Sequence, residues 1–275
     1  MSPVRNTPPT PPTPPAPAEI ALLDRPLPAR SLVVSLLLRT EPPGMRGARL
    51  VQWCGLFGVP EGTARVALSR MLERNELTAR DGVYALAGRT RDRRVAQDWS
   101  LEPRPRAWRG QWLLGIVTGG ARAADERSAL RDAMRRLRCA ELREGLWTRP
   151  DNLPRVAAPA DAWAVADEQC RWWTARPDED PELLAGRLFD VTAWERRAAL
   201  LTKRLTVATR VLGTDRDTLA DAFVVGAAAL AHVRADPLLP PTLVGEPKAG
   251  DALRRAYRAY EAAFARALQS WFREH

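Results

Sequence analysis

The chain has 275 residues, 45% of them hydrophobic and ten of them tryptophan, enough to bury a core and to exclude a wholly disordered protein. The apolar run Leu32–Leu38 contains a serine and is far too short to span a bilayer. The net charge of +9 fits a polyanionic partner such as nucleic acid, while two histidines (His232, His275) and three scattered cysteines (Cys54, Cys139, Cys170) argue against His-dependent catalysis, a zinc ribbon or a disulfide framework.

Only Lys203 and Lys248 are lysines, so the positive charge is carried almost wholly by arginine, a compositional skew that makes any single arginine weak evidence of a phosphate contact. Its distribution is more informative. Between Ala29 and Arg106 there are 14 arginines against 8 acids, a surplus of +6, whereas the first 28 residues balance. The N-terminus is Pro/Thr-rich and lacks the basic patch and apolar core of a signal peptide, which sets the expectation of a cytoplasmic protein.

Ser2–Ala18, with its repeated Pro-Pro-Thr units, has nothing to bury and reads as a disordered tail. Ala29–Arg39 is apolar almost all round and predicts a short buried helix, stopped by Glu41-Pro42-Pro43-Gly44. Gly47–Phe57 predicts a second helix, and Gly58-Val59-Pro60 a tight break. In a third helix, Glu61–Asn75, the residues Ala64, Ala67, Leu68, Met71 and Leu72 share one face. Gly62, Val66, Ser69, Arg70 and Glu73 lie opposite, flanked by Thr63 and Arg65. Leu77–Arg80 and Val83–Leu86 then read as strands joined at Asp81-Gly82, a strong hairpin signal. Three short helices and a hairpin are the order of a winged helix-turn-helix, whose third helix enters the major groove with the hairpin beside it. Arg89, Arg91, Arg93 and Arg94 follow the hairpin and would track the phosphate backbone.

A second unit is expected from Trp108. It comprises a strand (Trp112–Val117), a helix (Asp125–Arg138), two strands (Ala140–Arg143, Leu146–Arg149), a helix around Ala160–Glu168 and a closing strand (Arg171–Thr174), an order that fits a ferredoxin-like α+β unit. From Pro181 the chain reads as helical, at Pro181–Leu184, Thr192–Thr209, Thr214–Arg234 and Ala252–Phe272, with a Pro/Leu-rich connector at Asp236–Gly250.

Several of these segments carry a resemblance. Ala64-Arg65-Val66-Ala67-Leu68-Ser69-Arg70-Met71 with the Tyr84 hairpin is similar to the N-terminal domain of the PaaX family, bacterial repressors of phenylacetic-acid degradation and related regulators. Trp108-Arg109-Gly110-Gln111-Trp112 resembles the family's entry into its central domain. The Arg131–Leu137 helix, Glu141-Leu142 and Gly145-Leu146-Trp147-Thr148-Arg149-Pro150 follow in the family's order. Leu188-Phe189-Asp190-Val191 and Asp236-Pro237-Leu238-Leu239-Pro240 complete the set, over a span from about Ala29 to Phe272. Two departures stand out. Val59-Pro60-Glu61 replaces the family's serine cap, a loss on the order of 1 kcal/mol, and Gly245-Glu246-Pro247-Lys248 replaces its Trp-Pro-Gly.

The resemblance implies an N-terminal winged helix, a central ferredoxin-like (Cas2-like) domain and a C-terminal helical domain. It also implies a homodimer on an inverted-repeat operator, released by an aryl- or acyl-CoA thioester. A nuclease of the central-domain type would need an Asp ending the first strand to anchor a metal, and Ile116-Val117-Thr118 stands there. No nucleophile elbow or phosphate loop is present, so no catalytic residue, metal or cofactor is expected.

The sequence therefore predicts an α+β protein with a tail at 1–28, a winged-helix domain at 29–98, a ferredoxin-like domain at 99–180 and a helical domain at 181–275. Thr63, Arg65, Val66, Ser69 and Arg70 are expected to face DNA, supported by Arg80, Tyr84 and Arg89 at the wing. Trp108, Trp112 and Trp147 are candidate walls of an effector cleft, with Arg109 and Arg122 as phosphate contacts. The function expected is a DNA-binding transcriptional regulator, a repressor before an activator. The alternatives are a winged-helix module for protein contacts and, behind it, a nuclease or hydrolase.

Overall fold

Ala29–Leu37 forms helix α1 and buries six of its nine side chains, as an all-round apolar stretch requires. The computed structural model describes residues 27–39, 44–88, 97–120, 122–155, 159–245 and 249–274; the tail expected at Ser2–Ala18 lies outside them. Helix α2 (Gly47–Leu56) ends before Gly58 at φ 75°, and Pro60 precedes α3 (Glu61–Glu73). Strands β2 (Leu77–Arg80) and β3 (Val83–Leu86) turn at Asp81 and Gly82, with φ of 52° and 74°, the positive pair that a tight two-residue hairpin demands. The two-residue strand β1 (Met45–Arg46) adds to this hairpin in the order β1-β3-β2. It was not expected, because two residues show no periodicity.

A short helix α4 (97–101) leads to β4 (Trp112–Val117), α5 (Ala124–Arg136), β5 (Ala140–Arg143), β6 (Leu146–Pro150), α6 (Ala160–Gln169) and β7 (Cys170–Ala175). The four strands form a fully antiparallel sheet in the order β5-β6-β4-β7. Helices α5 and α6 cover one face, where Leu130, Met134, Ala162 and Ala166 pack with Trp147. Gly115 is needed on that face, since a Cβ there would sit 2.8 Å from the Trp172 ring. The opposite face packs Trp112 against Leu184 of α7 (Pro181–Leu188) and Leu243 of α10 (Pro241–Val244).

Three long helices, α8 (Val191–Val211), α9 (Arg216–Arg234) and α11 (Ala249–Glu274), close the chain. Their apolar stripes do not form a separate core. Trp53 of α2 is fully buried, with the rings of Phe57, Phe223 and Phe264 at 5.0, 5.0 and 6.1 Å. Arg216 caps the end of α2 by donating to the carbonyls of Leu56 (3.1 Å) and Gly55 (2.9 Å), the latter also accepting from Gly58 N–H at 3.1 Å. One hydrophobic cluster thus joins the first three helices to the last long ones. Helices combined with two small antiparallel sheets make the protein α+β, as expected.

The Asp236-Pro237-Leu238-Leu239-Pro240 connector has a clear structural role. Asp236 accepts from Arg254 at 2.5 Å through its side chain and from Arg138 at 2.6 Å through its carbonyl. Asn152 donates to the Leu238 carbonyl at 2.8 Å and accepts from Arg149 at 2.8 Å. These groups are buried, so each hydrogen bond compensates a desolvated polar atom.

Candidate nucleic-acid interface

Helix α3 presents two unlike faces. Ala64, Leu68 and Met71 are buried in the shared core, while Thr63, Arg65, Val66, Ser69 and Arg70 are all exposed, Val66 to 49%. No side chain caps the first turn, so Glu61 supplies the anionic group favoured there and pairs with Arg65 at 2.7 Å. Ser69 donates to Glu73 at 3.4 Å, and Arg70 has no acidic partner among the described residues. The helix closes with Asn75 at φ 55°: Glu76 N–H donates to Met71 (2.8 Å) and Asn75 N–H to Leu72 (2.9 Å). That paired closure favours a residue tolerant of left-handed backbone.

The hairpin divides its own candidates. Arg46, Val83 and Arg80 lie opposite one another across β1, β3 and β2 and so share one face, with both arginines exposed. Tyr84 is next along β3 and points to the other face, where it is half-buried on the core. Its ring lies over Gly47, where a Cβ would come within 2.8 Å of it. Arg80 and Tyr84 are therefore not brought together. Arg46, which the sequence reading passed over, shares that face with Arg80 instead, the two flanking Val83. Arg89, with Arg91, Arg93 and Arg94, lies outside the described residues.

The five effector candidates are likewise dispersed. Trp112 pairs with Pro150 and Trp147 with Gly115, a register that puts the two rings on opposite faces of the sheet. Both are buried, in separate clusters. Trp108 packs near Trp112 and donates to the Gln111 carbonyl at 2.6 Å. Arg109 is exposed, and Arg122 donates to Gln169 at 2.9 Å. No common cleft collects them.

Other reactive chemistry is muted. Burial pushes the thiols of Cys54 and Cys170 up to about 11 and that of Cys139 up to about 12, so all three stay protonated. His232, whose basicity burial lowers, stacks on Trp194 at 4.7 Å and donates to its carbonyl at 2.9 Å, a packed core position. Among the described residues no cluster of His, Cys, Asp and Glu could hold a metal ion, and no helix is long and apolar enough to cross a membrane.

The chain matches the family model described as PaaX-like protein over residues 28–90, the segment that holds α1 to β3. It is similar in structure to the uncharacterized protein Rv0674 from Mycobacterium tuberculosis, with a TM-score of 0.63 and 36% sequence identity over 89% of this chain and 98% of that one. No curated protein matches the sequence. A shared N-terminal pattern and a relative aligned over nearly its whole length agree with the five ordered motifs: the chain belongs to the PaaX-like family.

Proposed function

We propose that the protein is a sequence-specific DNA-binding regulator, acting as a repressor, whose α3 enters the major groove of an operator. The observation that carries this is the exposed face of α3, on which Arg70 meets no acid among the described residues, while the opposite face is locked into the core. Residues 29–98 act as a winged helix, with Arg80 and Arg46 approaching the backbone beside the groove. The order β5-β6-β4-β7 with α5 and α6 on one side supports a ferredoxin-like unit at 99–180, and the long helices support a helical domain at 181–275. By family analogy the regulator works in the cytoplasm as a homodimer on an inverted repeat. A small acyl- or aryl-CoA effector, acting outside the winged helix, changes the spacing of the two α3 helices and releases the operator.

Salt titration tests the reading. Binding to a duplex from the protein's own upstream region should weaken by about 10³-fold or more between roughly 50 and 200 mM salt if several phosphates are neutralised. A salt-independent interaction, or none, would favour a protein-contact module.

A further inference from the structure

A cleft of about 790 Å³ opens where the end of α3, the end of the hairpin, α4, α5 and α9 meet. Its size suits a small organic ligand. Five arginines line it against three acids. Arg30 is taken by Glu76 and Arg136 by Asp161, each at 2.6 Å, while Asp132 pairs with Arg135, which is not part of the lining, at 3.6 Å.

Arg234 donates to Gln97 at 3.3 Å, which leaves two cations underused. Arg74, exposed at the end of α3, meets no carboxylate among the described residues. Arg138 is buried, yet it is held by neutral groups, the Asp236 carbonyl at 2.6 Å and Ser100 Oγ at 3.4 Å. The Asp236 carboxylate is committed to Arg254. Burial pushes the Arg138 guanidinium down to about 9; Arg149 and Arg254 press the same way and Asp236 opposes. This is a buried cation short of negative charge.

The backbone points to the same residue. Arg138 has φ 60° and occupies the turn after α5, where Cys139 N–H donates to Met134 (2.9 Å) and Arg138 N–H to Arg135 (3.0 Å). Glycine is the usual residue at such a position, so an arginine there carries backbone strain. Its guanidinium lies 4.6 Å from the centre of the Trp99 ring, and the Trp99 indole N–H finds no acceptor among the described residues.

We propose that this cleft binds a small organic dianion, with Arg138 and Arg74 as its cationic anchors and Trp99 as both its flat wall and a hydrogen-bond donor. Arginine forks suit both phosphate and carboxylate oxygens. The consequence for regulation rests on the regulator reading above. Because Arg74, Asn75 and Gly88 line one side and Asp132, Arg136 and Arg138 the other, occupancy sets how α3 and the hairpin sit against the middle of the chain.

The test is calorimetric titration of the full chain with phenyl phosphate, with phthalate, and with benzyl alcohol as an uncharged control. Saturable binding of phenyl phosphate or phthalate is expected, weakened at least about tenfold by Arg74→Gln and by Arg138→Gly, and left unchanged by Arg122→Gln. Glycine preserves the left-handed backbone at 138, and Arg74 is a surface residue, so at least one variant stays folded. The tighter of the two anions identifies the phosphate or the carboxylate source. Absence of saturable binding of either anion up to about 10 mM, or binding that Arg74→Gln leaves intact, overturns the proposal. Anisotropy with operator DNA on the same samples separates the two readings. Anion binding without DNA binding keeps the cleft and removes the regulator, and DNA binding without anion binding does the reverse.

Discussion

Arg39 is a cation removed from water yet kept charged: four aromatic rings lie within 6.0 Å of it, and it donates to the Tyr257 hydroxyl at 2.9 Å with Glu261 at 3.5 Å. Cys139 shows the opposite solution, a group that burial keeps neutral, with its thiol raised from 9.0 to about 12. A group whose folded pKa is raised holds its full contribution below the unfolded value and loses it as the pH climbs towards the folded one. Stability should therefore fall by up to about 1.4 kcal/mol per pH unit above roughly pH 9 through this residue alone. Urea unfolding of Cys139→Ala should show a correspondingly flatter decline over that range. At this scale α3 was legible, because its apolar and polar residues alternate with a helical period and the sorting into buried and exposed follows from that alone. Arg138 was not. An arginine ending a helix reads as a solvated charge, and its partner Asp236 lies 98 residues away.

At the scale of elements, sequence signals were sharp where a period or a turn was complete. Trp112–Val117 and Ala140–Arg143 are strands with the expected bounds. What escaped was whatever depends on register. Two tryptophans on neighbouring strands look like partners until the pairing of Trp147 with Gly115 sends them to opposite faces. Strand β1 was equally hidden, and it explains Gly47. With a Cβ there only 2.8 Å from the Tyr84 ring, Gly47→Ala must displace the tyrosine or open the β1–β3 edge. The expected cost is about 1–3 kcal/mol in thermal or urea unfolding, as for an overpacked site. Gly55→Ala, where nothing lies within 4 Å, is the control and should cost far less.

For the whole molecule, the family pattern at 28–90 covers a segment that does not complete its own core. Trp53 and Leu50 are fully buried, and Phe223, Tyr257, Phe264 and Trp271 belong to the same cluster. A fragment ending at Gly88 should therefore lack cooperative unfolding by circular dichroism, while the full chain retains it. The Asp236 joint ties the same helices to the central sheet. Asp236→Ala removes the close, buried carboxylate partner of Arg254, leaving it the exposed Asp251 at 3.9 Å and the Ser100 carbonyl, and should cost about 3–5 kcal/mol, read from denaturant unfolding.

The most direct measurement compares native protein with Arg70→Ala on two duplexes, one carrying the operator and one scrambled, at a single salt concentration. A loss of about 1–3 kcal/mol on the operator and a much smaller loss on the scrambled duplex are expected, because the proposed reading sets Arg70, exposed on the uncovered side of α3, against base edges. Equal losses on both duplexes, or no change on either, would contradict it.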